Sequence, residues 1–404
     1  MRDFSEFRQH WRPLAGCFLG TGSALSLNSF IVSTFAPYLL DEFGWSRAEW
    51  AMTGMIVVLI VFCVPVAGRL TDIYGVRRVA GVGVTVFPLS LVAIAMMNGD
   101  IRVYLAIYVV QTIFGTTTTA TIYTRLVAEA YEKWRGLALA ICASSPAVIG
   151  AVGAPLITGF VHAHGWRAGY LVVAAFSAIC GVIALLLTPP FKPKAPPAAG
   201  EAVETSREVY RRILKSPVFR MLLVGTFLVS LYHTLVVVQL KVLVMEQGVD
   251  DTTAALLVSL FAGGVIAGRL LSGIALDFLP PHSVGAVFLG LPSIGMLILA
   301  TNMDTFPMIS LAILLIGLAF GGEGDVVAYL VVRFFGVGVY STVLGLMTTA
   351  MAAASAVGAG LLSVSLRMTD SFNAFLLLAA AGVFCGGVMF QLLGAKRFQR
   401  LAVN

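Results

Sequence analysis

Twelve stretches of mostly apolar residues, each closed by a short polar break, constrain this 404-residue chain more than any other feature. They run approximately over 14–40, 47–70, 78–98, 103–130, 136–161, 168–188, 218–246, 253–276, 283–301, 305–333, 339–366 and 372–394. A bilayer hydrocarbon core about 30 Å thick takes about 20 helical residues to cross. The breaks include Asp41-Glu42, Arg77-Arg78, Asn98-Gly99-Asp100, Lys133-Trp134-Arg135, Asp250-Asp251 and Asn302-Met303-Asp304. Unbroken apolar character favours helices, since a membrane β-barrel is built from strands of about 10 residues with alternating polarity. Only 11% of residues are charged, against about 25% in soluble domains. Such a chain cannot clothe a water-soluble globule. A soluble enzyme, a disordered chain and a fibrous protein are excluded, and an all-α membrane protein with twelve transmembrane helices is expected.

Orientation follows from the basic residues. With the N-terminus in the cytoplasm, the tails and loops on that side hold 19 of the 26 Lys and Arg. The opposite side holds five: Arg47, Arg102, Arg167, Lys241 and Arg367. Both termini are therefore expected inside, in the inner membrane of the cell. Arg2, Arg8 and Arg12 precede the first apolar run, as in a secretory leader, but a run over 14–40 exceeds a cleaved apolar region of about 7–15 residues. It is expected to stay as the first crossing. Basic residues confined to short loops give no nucleic-acid face. The five cysteines all sit in apolar runs without metal-ligand spacing and read as small packing groups.

Residues 189–216 break the rhythm with Pro and charge. They divide the chain into an N-terminal six-helix bundle (1–188), a cytoplasmic linker (189–216) and a C-terminal six-helix bundle (217–404). Glu201 to Lys215 is expected to form a short helix on the bilayer surface. The halves resemble each other at an offset of 205: Ala151-Val152-Gly153-Ala154 recurs as Ala356-Val357-Gly358-Ala359, and Gly68 and Asp72 recur as Gly273 and Asp277. Tyr170-Leu171 likewise matches Phe375-Leu376. Two repeats around a cleft are the architecture of a rocking carrier.

Gly68-Arg69-Leu70-Thr71-Asp72-Ile73-Tyr74-Gly75-Val76-Arg77-Arg78 resembles the G-x-L-x-D-x-x-G-x-[RK]-[RK] motif of the major facilitator superfamily. The glycines permit a tight turn and close helix approach, and Asp72 can face a helix N-terminus or a neighbouring Arg. Gly68, Asp72, Gly75, Arg77 and Arg78 are thus the expected gating motif. Phe43-Gly44-Trp45-Ser46-Arg47, Gly165-Trp166-Arg167, Gly268-Arg269-Leu270-Leu271-Ser272-Gly273 and Gly321-Gly322-Glu323-Gly324-Asp325 are similar to the monocarboxylate transporter and oxalate/formate antiporter branch. That resemblance implies a carrier of small organic anions with Arg269 as the carboxylate ligand. Val265 stands where many monocarboxylate carriers have an Asp, the first run lacks their Lys, and the eleventh run lacks the Lys of the oxalate carrier. A doubly charged substrate loses support accordingly.

An ionised side chain at the bilayer centre costs about 2.5–3.5 kcal/mol on insertion scales and persists where it pairs or faces a cavity. Arg269 lies eight residues before Asp277, and Asp325 eight before Arg333, so Arg269, Glu323 and Asp325 are expected at similar depth. One reading is substrate binding by the planar guanidinium fork, with Glu323 or Asp325 carrying a coupled proton. The other is a structural salt bridge. Arg125 is expected either to snorkel or pair with Glu129, or to make a second anion contact. Asn28, Tyr123, Thr119 and His233 are further candidate substrate contacts, each with helix packing or a local backbone bond as the alternative.

No phosphate-binding Gly-Lys loop, His-Glu-x-x-His or Gly-x-Ser-x-Gly occurs. No cofactor, metal or enzymatic activity is expected. The sequence therefore points to proton-coupled symport of a small organic anion, a monocarboxylate first of all, by a monomer embedded in lipid. An efflux antiporter for drugs or metabolites and a non-transporting sensor on the same fold are the alternatives.

Overall fold

The computed structural model describes residues 5–45, 56, 58–191, 205–301, 305–369 and 371–395. Arg47 lies outside them, as do parts of the linker and of the second apolar run. Helices account for every regular element among the described residues. In chain order they are α1 (Ser5–Gln9), α2 (Trp11–Gly22), α3 (Asn28–Phe43), α4 (Leu59–Tyr74), α5 (Val76–Ala95) and α6 (Ile101–Gly115). There follow α7 (Ala120–Ala130), α8 (Arg135–His164), α9 (Trp166–Leu187), α10 (Ser206–Lys215), α11 (Pro217–Val229) and α12 (Leu240–Glu246). The last are α13 (Asp251–Phe278), α14 (Pro281–Ala300), α15 (Phe306–Phe335), α16 (Tyr340–Thr369) and α17 (Asn373–Leu392).

Nine helical stretches among the described residues are long and apolar enough to cross a membrane, with α6 and α7 together making one of them. The other three expected crossings consist of shorter pieces. The first apolar run is broken at Ser23–Leu27 into α2 and α3, and Ala24 leaves helical geometry there. In the second, α4 covers the part that is described. The seventh is broken between α11 and α12, where Leu235–Gln239 forms a π-helical turn. Backbone groups freed at such breaks need protein partners, because lipid supplies none.

The chain forms two compact units. Unit 1 comprises Met1–Lys133, Ile141–Ala198 and Val337–Gly345; unit 2 comprises Trp134–Ala140, Ala199–Gly336 and Leu346–Asn404. The first turns of α8 thus belong to unit 2, and those of α16 to unit 1. In unit 1 an aromatic core of Phe35, Phe87, Tyr104, Trp166 and Tyr170 ties α3, α5, α6 and α9 together. In unit 2, Met296, Ile313, Ile316, Phe375 and Leu376 pack α14, α15 and α17. Large apolar side chains such as Phe62, Leu156, Leu186 and Phe384 remain exposed, as a lipid-facing surface requires.

Candidate functional site

In unit 2, α13 and α15 pack through glycine. Gly264 and Gly268 on α13 meet Gly317 and Gly321 on α15. A methyl group at Gly268 would strike the Leu318 carbonyl, and one at Gly321 the Val265 carbonyl. Two small-xxx-small pairs therefore bring the backbones together, as in close membrane helix contacts. This approach carries Arg269 to Asp325, with Nε 4.0 Å from Oδ2. The Asp325 side chain is 4% exposed and the Arg269 side chain 25%. Asp325 Oδ2 makes no hydrogen bond. The pair is loose, and the guanidinium keeps donors for another carboxylate.

Glu323 has other partners. Its carboxyl lies against Ser230 Oγ and, 2.7 Å away, His233 Nε2. Ser230 ends α11 and His233 follows in the broken segment, so the break in the seventh run delivers both groups to the acid. Glu323 is 2% exposed and His233 14%. The His233 ring also packs on Phe320, with centroids 4.9 Å apart. Sequence spacing offers Arg269 two acids; the structure gives it Asp325 and gives Glu323 to His233.

Asn28, Thr119 and Tyr123 belong to unit 1. Asn28 opens α3 after the first-run break, buried and within hydrogen-bonding reach of Tyr108. The fourth run is broken at Thr116–Thr118, between α6 and α7. The hydroxyls of Thr116, Thr117, Thr118 and Thr119 each donate to the carbonyl three residues earlier, at 2.6, 2.7, 2.7 and 2.8 Å. They serve the end of α6. Tyr123 is fully buried, with its ring seated on Gly20 and its hydroxyl unpaired. A cavity of about 590 Å³ lies between α3, α8 and α9 of unit 1. Ile31, Phe35, Val148 and Phe176 line it, with Thr34 as its side-chain hydroxyl and no charged group, so it is an open apolar groove.

The residues of the expected gating motif lie at a charge node in unit 1. Asp72, near the end of α4, accepts from the Ser341 and Thr342 backbone N–H groups at 3.2 and 2.8 Å, and from Thr342 Oγ1 at 2.5 Å. An anion at a helix N-terminus is favourably placed. Arg125 pairs with Asp72 and also holds Glu129 at 2.7 Å. A side chain at Gly68 would collide with the Ser341 carbonyl. Gly75 ends α4 at φ +82°, where a larger residue is strained. Arg77 and Arg78 are exposed on the first turn of α5. Unit 2 repeats the arrangement. Asp277 accepts from the Gly136 and Leu137 N–H groups at 2.7 and 2.9 Å, and Gly273 abuts the Gly136 backbone. Positions 136 and 137 plus the repeat offset of 205 are 341 and 342, so both nodes obey the same internal repeat.

The family model of the Major Facilitator Superfamily matches residues 17–359. The chain belongs to that superfamily. Monocarboxylate transporter 4 of Gallus gallus is 24% identical over 360 residues, covering 86% of this chain and 75% of the relative. Human monocarboxylate transporter 11 is 24% identical over 393 residues, covering 94% and 82%. Among solved structures, the E. coli fucose:proton symporter FucP matches with a TM-score of 0.75 at 14% identity, over 97% of this chain and all of that one. The human organic anion transporter MFSD10 matches with a TM-score of 0.68 at 15% identity, over 96% of this chain and all of that one. The fold is that of a multi-pass membrane transporter.

Several site residues escape sequence reasoning. Ser230 looks like one serine among many until the break beside it places it on Glu323. Arg125 finds Asp72, 53 positions away in the chain. The paired glycines were legible as i, i+4 spacings, 264/268 and 317/321, on the two helices that carry the charges.

Proposed function

We propose that this chain is a secondary transporter that moves a small monocarboxylate together with a proton by alternating access. The observation that carries the reading is the loose Arg269–Asp325 pair inside unit 2, with a half-open guanidinium beside a buried acid. A substrate carboxylate docks on the Arg269 fork by charge-assisted hydrogen bonds. Asp325 then loses its cation in an oil-like setting, where an unpaired carboxylate takes up a proton. Anion and proton therefore bind better together, which is the thermodynamic requirement for symport. Glu323, held by Ser230 and His233, orients the neighbouring helix break, with His233 beside the substrate path. In unit 1, Asn28 is the proposed further substrate contact, while Thr119 and Tyr123 serve the helix backbone and helix packing. The gating motif of Gly68, Asp72, Gly75, Arg77 and Arg78 latches and releases α16 as the carrier cycles. The similarity to monocarboxylate transporters and the lack of a Lys in the eleventh run favour a singly charged substrate. In this reading the protein works as a monomer in the inner membrane, with both termini cytoplasmic.

Uptake of labelled carboxylates into proteoliposomes under an imposed pH gradient tests the proposal. Accumulation of a monocarboxylate above its equilibrium level is expected. Exchange of organic cations instead would identify an efflux antiporter, and no flux of either would leave a non-transporting sensor.

A further inference from the structure

The linker helix α10 carries a row of exposed cations that the reading of Arg269 does not use. Its sequence is Ser206-Arg207-Glu208-Val209-Tyr210-Arg211-Arg212-Ile213-Leu214-Lys215. Thr205 and Glu208 close a capping box at its start, so the helix's one acid is turned back on the N-terminus. Arg207, Arg211 and Lys215 stand on the same short helix as that single engaged carboxylate. Val209 and Ile213, one turn apart, are buried against unit 2, where α10 packs on α11. Arg207, Arg211 and Lys215 follow at i, i+4 and i+8 and form a ladder on the opposite, exposed face. Leu214 is 50% exposed beside that ladder, and Tyr210 is half-buried.

The position of the ladder follows from the chain. Ser216 alone separates α10 from α11, the apolar helix that begins the seventh crossing. The helix therefore lies at the height of the lipid headgroups. Cations mixed with Leu and Tyr at that height match the composition of an interfacial helix. We propose that α10 is a docking surface for anionic phospholipid headgroups, with Arg207, Arg211 and Lys215 holding the phosphates and Leu214 resting among the upper acyl carbons. The surface clamps the start of the seventh crossing, whose break carries Ser230 and His233, to the charged leaflet.

The test uses the full chain in nanodiscs made from equal parts phosphatidylglycerol and phosphatidylcholine. Lipids retained after mild detergent extraction are counted by native mass spectrometry. The wild-type chain is expected to retain phosphatidylglycerol in preference. The triple variant Arg207→Gln, Arg211→Gln, Lys215→Gln is expected to lose that preference, by about fivefold for each cation removed. The charge-keeping triple variant Arg207→Lys, Arg211→Lys, Lys215→Arg is expected to restore it. All three residues are exposed, so folding is spared. Equal retention of the two lipids by wild type, or undiminished preference in the glutamine variant, overturns the proposal. The readout is lipid, not transport, so it stands or falls apart from the reading of Arg269.

Discussion

At the broken middle of its first crossing, unit 1 holds Leu25, Asn28 and, across from them, Thr118. At the positions 205 residues later, unit 2 holds Ser230, His233 and Glu323. In the first, the Leu25 N–H reaches Thr118 Oγ1 at 3.5 Å. In the second, Ser230 and His233 meet the Glu323 carboxyl. The two repeats keep the place of the helix break and change what fills it. Thr118 donates its hydroxyl to its own helix, at the Gly115 carbonyl, and the surrounding threonines do likewise. Glu323 has a longer side chain on the unbroken α15 and no backbone task, so it reaches the neighbouring break. One repeat has a neutral site built for backbone repair; the other has ionisable groups with Arg269 and Asp325 close by. The nodes at Asp72 and Asp277 share their backbone N–H contacts and differ at Arg125, whose repeat position is Leu330. The ionisable groups at the helix break are found in unit 2 and not at the matching positions of unit 1.

Changes at Arg269 test that asymmetry most severely. Arg269→Ala is expected to abolish carboxylate uptake, and Arg269→Lys to weaken it by about 10–100-fold, because a point charge replaces a bidentate fork. Asn28→Ala, in the neutral repeat, is expected to cost far less. Equal losses would erase the distinction between the units.

The nodes come next. Arg125 stands where the repeat places Leu330. Asp72→Asn leaves Arg125 with its buried partner gone and is expected to destabilise by about 3–5 kcal/mol. Adding Arg125→Leu, which makes unit 1 resemble unit 2 at this position, should recover much of the loss in thermal unfolding. A double variant no better than the single one would mean that Arg125 contributes through other contacts.

The glycine contact gives a smaller effect. Gly268→Ala is expected to destabilise by about 1–3 kcal/mol through overpacking and to disturb transport, because it separates Arg269 from Asp325. Gly324→Ala, on the same pair of helices but facing open space, should leave the melting temperature unchanged or slightly raised. Equal behaviour of the two variants would remove the glycine contact from the account.

The smallest effect concerns pH and unit 1. Glu42, past the apolar part of α3, accepts from the Trp166 indole and from Arg167 Nη1 at 2.6 Å. These bonds hold its carboxyl below the ordinary value of 4.5, the Trp166 bond first. A lowered folded value means stability that is complete above 4.5 and lost as pH falls through the lowered value. Melting curves of Glu42→Gln should therefore converge on wild type as pH drops below 4.5. A gap that stays constant with pH would show that the acid's charge is idle.

Much of the fold was legible because lipid permits few solutions: apolar length gave the helices, and the offset of 205 related the halves. The motif around Asp72 and the charges at 269, 323 and 325 stood out because burying them demands partners. At Ser23–Leu27 the Gly and Ser signal is present, but it lies within a run long enough to be taken for one crossing. The π-helical turn at Leu235–Gln239 was not legible, since Leu-Val-Val-Val-Gln is as apolar as the helices around it. For the same reason the pairing of His233 with Glu323 was hidden: it depends on a change in helical phase that hydropathy cannot register. Thr119 and Tyr123 drew notice for their polarity, yet a hydroxyl bonding its own backbone and a ring filling the space over Gly20 look the same in sequence as ligands would.

The claim that anion and proton share unit 2 is most directly tested by counting protons on binding. Titration calorimetry of the purified chain with a transported monocarboxylate, in two buffers of different ionisation enthalpy, gives the number taken up per ligand. The account predicts a net proton uptake approaching one per carboxylate in wild type and none in Asp325→Asn, with Glu323→Gln resembling wild type. Binding without proton uptake, or uptake undiminished in Asp325→Asn, would contradict it.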